Sequence, residues 1–142
     1  MPYAEKTRVP VSQSRSDIEK LLDRHKAKQY GTAVDYDAGT ARVQFRLHDR
    51  IVRFVITLPD PKKLGRGLKL EQAERQKWRA LLLVIKAKLE SVENGIELFE
   101  EAFLANIVMP GDQTVAELVR PVIAESYRTG RQLLLPPAAE TP

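Results

Sequence analysis

Arg42 and Arg46 interleave with Val43, Phe45 and Leu47, and Arg53 falls between Val52 and Phe54. In an extended chain, residues two apart share a face, so these three guanidinium groups are expected on one side of a sheet. A guanidinium forks onto phosphate or carboxylate oxygens, which makes such a face a candidate anion-binding surface. Lys62, Lys63, Arg66 and Lys69 follow in a glycine-containing basic loop. Further on, Arg75, Arg79 and Lys86 fall within about 40° of one another on a helical wheel of 100° per residue. These ten residues are the candidate nucleic-acid-binding site, read as one continuous basic track that meets phosphates. Each phosphate neutralised makes binding salt-sensitive. Of the aromatic residues, Tyr30 and Tyr36 lie near this region, and no stacking pair punctuates it, which favours backbone contact over base readout.

Groups suited to catalysis are scarce. The chain has two histidines, His25 in a basic helical stretch and His48 in a short turn, and neither has a carboxylate motif at ligand spacing beside it. There is no cysteine, which excludes thiolate zinc sites, cysteine nucleophiles and disulfide scaffolds, and fits a reducing cytoplasm. Gly65-Arg66-Gly67 lacks the strand, glycine-rich turn and helix of a dinucleotide site. Pro59-Asp60 with Lys62 and Lys63 is a faint echo of a metal-dependent nuclease, but the second carboxylate is missing. No catalytic residue, metal or cofactor is expected, and the chain reads as a binding protein rather than an enzyme.

The charge is unevenly placed. The 142 residues carry a net +4; residues 1–69 hold 15 Lys and Arg against 8 Asp and Glu, whereas residues 70–142 hold 8 against 11. Residues 62–88 contain nine bases and two acids, and residues 90–101 contain five glutamates and no base. Such polarity suggests a basic face turned to an anionic partner. It reads equally well as two solvated faces whose charges pair with each other. No apolar run approaches the roughly 18 residues of a membrane span, so no membrane partner is expected.

The elements that must position these residues can be read from periodicity. An arm covers residues 1–15. Ser16 and Glu19 stand at capping-box spacing, and Ile18, Leu21 and Leu22 form an apolar helical stripe with Lys20, Arg24, Lys26 and Lys28 facing outward, ending at Gly31. Three alternating segments follow, around residues 32–36, 41–47 and 51–58, joined by Asp37–Thr40 and His48–Arg50. Such short connections force an antiparallel meander. Trp78, Leu82, Ile85, Leu89, Val92, Ile96, Phe99 and Phe103 then recur at alternating spacings of 4 and 3. That rhythm predicts one long helix from about Leu70 to Ala105, packed on the sheet, with a two-helix hairpin breaking at Asn94-Gly95 as the alternative. Met109–Asp112 reads as a turn, and Thr114 with Glu117 as the cap of a last helix containing Pro121 and stopping at Gly130.

The fold class is therefore α+β: an N-terminal helix, a three-stranded antiparallel meander, a long heptad-patterned helix packed on the sheet, and a C-terminal helix. A single domain is expected over residues 1–135, with residues 136–142 as a disordered tail. The unbroken apolar run Ala80–Ile85 is enclosed on most sides of a helix and needs cover from the last helix or from a second copy, which makes a homodimer through the long helix a candidate assembly. Helix–strand–strand–strand–helix is also the order of double-stranded-RNA-binding domains, by topology alone; their basic helix-start motif is absent here.

Ser14–Glu19, Arg53-Phe54-Val55, Gln76–Leu81, Ile85–Glu90 and Phe103-Leu104-Ala105 through Met109–Val115, together with Tyr3-Ala4-Glu5 and Val9–Val11, resemble a family of small uncharacterised proteins encoded by tailed phages and prophages of proteobacteria. The resemblance implies action in the cytoplasm of an infected bacterial host and supplies no catalytic residue. Two functions are then open, with plain structural service in virion assembly as a third. One is a phage accessory protein that binds DNA or RNA through the basic track. The other is a protein-interaction module, such as an anti-CRISPR-like inhibitor of a host defence system. Its basic track would block an acidic surface, or its acidic segment would mimic nucleic acid.

Overall fold

Ile18, Leu21 and Leu22 recur on one side of helix α1 (Val11–Arg24) and are buried there. The computed structural model describes residues 7–130; the expected tail at residues 136–142 and residues 1–6 of the expected arm lie outside them. The helix starts earlier than the Ser16 cap spacing suggests, so residues 11–15 belong to it rather than to an arm. Pro10 precedes it at φ −59°, and a proline lacks only an N–H that the first turn leaves without a partner. The helix also stops before Gly31. Lys26 turns into the left-handed region at φ 64°, and the amides of Lys26 and Ala27 close on the carbonyls of Asp23 and Leu22, the Schellman arrangement that glycine usually serves.

Gly31 instead sits within strand β1 (Gln29–Asp35), which pairs antiparallel with β2 (Thr40–Leu47), itself paired antiparallel with β3 (Arg50–Thr57). His48 and Asp49 both adopt positive φ, 50° and 58°, as a two-residue hairpin requires to match strand twist. Ala41, Val43, Phe45 and Leu47 of β2 and Val52 and Phe54 of β3 are buried on one face of the sheet. Beyond β3, Ile107 bridges to Val52 and extends the sheet's edge.

The stretch expected as a basic loop is divided. Asp60 accepts the Lys62 amide at 2.9 Å and caps a single helical turn, α2 (Pro61–Leu64). Lys69 already belongs to α3 (Leu68–Glu93). Trp78, Leu82, Ile85 and Leu89 of α3 are buried in the shared core, so the heptad seam serves the chain's own interior. Within the apolar run, Leu81, Leu82 and Ile85 are covered and Val84 is left 36% exposed.

The long helix ends at Glu93, which overturns the single helix to Ala105 and favours the alternative break. Gly95 lies at φ 72°; its amide reaches the Val92 carbonyl at 3.1 Å and the Ile96 amide reaches that of Ser91 at 2.9 Å, a Schellman stop. Ile96, in phase with the heptad rhythm, is 77% exposed. Phe99 and Phe103 regain the core through a separate turn, α4 (Phe99–Ala102). Phe103 stands edge-on to Phe45 at 5.8 Å and to Phe54 at 6.2 Å. Gly95→Ala discriminates the two shapes by sign. In a continuous helix it would stabilise by about 0.5–1 kcal/mol, whereas at this left-handed position it is expected to cost about 1–2 kcal/mol, read by urea denaturation.

A 3₁₀ turn (Leu104–Asn106), the two-residue strands β4 (Val108–Met109) and β5 (Gln113–Thr114), and helix α5 (Val115–Thr129) complete the described chain. Thr114 and Glu117 form the expected capping box, and Gly130 closes the helix at φ 73°. No residue of α5 is buried, and its main contacts are with the 3₁₀ turn and β5 rather than with the apolar run of α3. No helix among the described residues is long and apolar enough to cross a membrane.

Candidate nucleic-acid interface

Helices α1 and α3 cover one face of the sheet, and the other face is open except at Arg53, where the turn after Met109 lies over it. The register aligns Gln29 with Arg46, Gly31 with Gln44 and Ala33 with Arg42, so these side chains share that open face. Arg42 and Arg46 are exposed and flank a shallow trough of about 350 Å³, which Gly31, Ala33 and Gln44 also line. With no or little side chain, Gly31 and Ala33 leave the β1 backbone beside the two arginines open to a ligand. Arg46 makes only a 3.9 Å contact with Asp49, its side chain about half exposed and that of Asp49 largely so, a pair worth little in water. Ile51 and Val55 of β3 continue the face, 40% and 54% exposed.

Arg53 shares this face by register, opposite Gln44, but it cannot serve as a phosphate contact. It is 6% exposed. Its Nε donates to Gln44 Oε1 at 2.9 Å, its Nη1 to the Asp112 carbonyl at 2.9 Å, and its Nη2 to the Asp112 carboxylate. The Asn106 side-chain amide donates to the Arg53 carbonyl at 3.1 Å, which holds the following turn against the strand. Arg53 is thus an anchor for the β4–β5 turn.

The remaining cations divide between two places. Lys62, Lys63, Arg66 and Lys69 are exposed. They leave the sheet at the end where the Leu58 amide meets the Gly39 carbonyl at 2.8 Å, beyond the Arg42 end of β2. Arg75, Arg79 and Lys86 belong to the helical layer, on the opposite side of the sheet from Arg42 and Arg46. Arg75 is half-buried and donates to Gln72 at 2.7 Å, and Arg79 pairs with Asp17 at 3.3 Å. The single continuous track expected from the sequence is therefore two surfaces, because the sheet separates them. The second includes Lys20 and Arg24 of α1, which line a groove with Lys86. Their (i, i+4) spacing on the outward side of α1 was the sequence signal for them.

The acidic segment is largely engaged in local structure. Glu97 accepts from Ser91 Oγ at 2.7 Å, Glu101 from the Leu98 amide at 3.0 Å, and Glu100 pairs with Arg50 at 2.7 Å. His25 caps α1, and the His48 ring lies 4.9 Å from that of Phe99. Among the described residues no three His, Asp or Glu side chains gather as metal ligands. Comparison with protein families, with curated proteins and with solved structures finds no match to this chain.

Proposed function

We propose that this protein binds the sugar–phosphate backbone of nucleic acid on its open sheet face, without catalysis, as an accessory protein in a phage-infected bacterium. The observation that carries the reading is the pair of exposed arginines, Arg42 and Arg46, that line one trough together with Gly31 and Ala33. Four residues along a strand separate their Cα atoms by about 13 Å, enough for the two guanidinium groups to take different phosphates. The basic turn at Lys62, Lys63 and Arg66 extends the positive potential beyond the Arg42 end. Base stacking plays no part in this reading, since the aromatic residues of the trough lining, Tyr30 and Phe45, pair with each other at positions that alternate with Arg42 and Arg46.

Fluorescence anisotropy with labelled single- and double-stranded DNA and RNA tests it. Arg42→Glu/Arg46→Glu is expected to weaken binding at least about tenfold at ~50 mM salt and to lower the log–log salt slope by about 2. Circular dichroism is expected to be unchanged, because both side chains are exposed. Wild-type protein that binds none of these probes at ~50 mM salt sinks the reading.

A further inference from the structure

The helical layer carries a second concentration of positive charge that the sheet face does not account for. Helices α1 and α3 run parallel, side by side, and leave a groove of about 300 Å³ between them, lined by Lys20, Arg24, Arg79 and Lys86 over Leu21 and Leu82. Asp17, also in its lining, is the groove's acidic residue and is engaged by Arg79 at 3.3 Å. Lys20, Arg24 and Lys86 are exposed and make no salt bridge among the described residues. Asp23 beside Arg24 and Glu90 one turn beyond Lys86 mark where this charge stops. Like charges at (i, i+4), as in Lys20 and Arg24, repel each other, and a bound polyanion relieves that repulsion. Leu21 and Leu82 are 7% and 6% exposed, so the groove floor is apolar and screens these charges less than open water does.

We propose that this groove is a second phosphate-backbone site, through which one protein molecule holds two nucleic-acid segments at once. The proposal rests on the nucleic-acid reading of the sheet face, and the two can fail separately. The groove opens away from the sheet, so a helical layer of about 10–12 Å and the sheet itself lie between the two surfaces. Duplex DNA, with a persistence length of about 50 nm, does not bend around a body that thin. Occupying both surfaces with duplex therefore takes two segments, and the consequence is bridging.

A capture assay reads this directly. Protein is added to a biotinylated DNA duplex on beads together with a fluorescent duplex in solution, and the retained fluorescence is measured. Wild-type protein is expected to retain the fluorescent duplex. Lys20→Glu/Lys86→Glu is expected to retain at least about tenfold less while still binding the same duplex in anisotropy through its sheet face. A wild type that retains none, or a groove variant that retains as much as wild type, overturns the proposal. If Arg42→Glu/Arg46→Glu binds like wild type in anisotropy and the groove variant does not, the sheet reading fails and the groove stands as a site. Both groove substitutions are at exposed positions, and the fluorescence of Trp78 confirms that the variant is folded.

Discussion

Arg53→Ala is expected to lower the free energy of unfolding by about 3 kcal/mol, while the folded variant keeps its affinity for nucleic acid. The guanidinium is buried and donates to Gln44, to the Asp112 carbonyl and to the Asp112 carboxylate. Its removal leaves two neutral acceptors without a donor and opens space beneath the β4–β5 turn. The Asp112 side chain is 80% exposed, so its charge returns to water. That places the cost at the lower end of the range for a broken buried pair. Asp112→Ala is gentler, about 1–2 kcal/mol, because Arg53 retains Gln44 and the backbone carbonyl. Arg53→Glu is worse than either, since it sets a carboxylate against that of Asp112. Urea denaturation followed by the fluorescence of Trp78, the one tryptophan of the chain, measures all three. A loss below about 1 kcal/mol contradicts the anchoring role. So does a drop in binding as large as that of Arg42→Glu/Arg46→Glu in protein that is still folded.

Arg53 also marks how far sequence reading reaches. Period two placed it on the same face as Arg42 and Arg46, and the register bears that out. What occupies that face beside it could not be read, because Asp112 lies 59 positions away. The pairing of Ile107 with Val52 and the Asn106 bond to the Arg53 carbonyl bring its turn over the strand. The meander, the Met109–Asp112 turn and the Thr114–Glu117 cap were legible, since each depends on neighbours within a few residues. The long helix misled for a physical reason. Apolar spacing reports which residues face the core and not whether the backbone between them is continuous. Five residues from Asn94 to Leu98 leave the helix and return Phe99 to the core in the phase a helix would have given. Gly95 was the local sign of the stop. At the first helix, the Ser16–Glu19 spacing imitated a cap inside an element that Pro10 had already opened. The groove between α1 and α3 depends on two elements packing in parallel although residues 25–67 separate them, which no local pattern encodes. Its separation from the sheet face follows from the same packing.

That packing depends most on Trp78, and Trp78→Ala is expected to cost about 4–5 kcal/mol. The indole is 1% exposed, in the core that α1, α3 and the sheet share. The Arg15 guanidinium of α1 lies 5.2 Å from its ring centroid and donates to Thr32 of β1 at 2.7 Å. One arginine thus ties the first helix to the long helix and to the edge strand. Truncation to alanine removes the largest of the fully buried side chains and takes away the surface on which Arg15 rests. A domain of ordinary stability has about 5–15 kcal/mol in all, so this variant is expected to be close to unfolded at 37 °C. Trp78→Phe keeps a ring under Arg15 and most of the volume, and is expected to cost only about 1–2 kcal/mol. The cation–π part is isolated by a double-mutant cycle that adds Arg15→Ala to both backgrounds, with unfolding followed by circular dichroism. Trp is the better partner for a cation, so Arg15→Ala should cost about 0.5–1 kcal/mol more beside Trp78 than beside phenylalanine. Equal costs in the two backgrounds would show that Arg15 acts through Thr32 alone. A Trp78→Ala variant as stable as wild type would mean that α1 and α3 hold their places without the indole, and the groove between them would need another explanation.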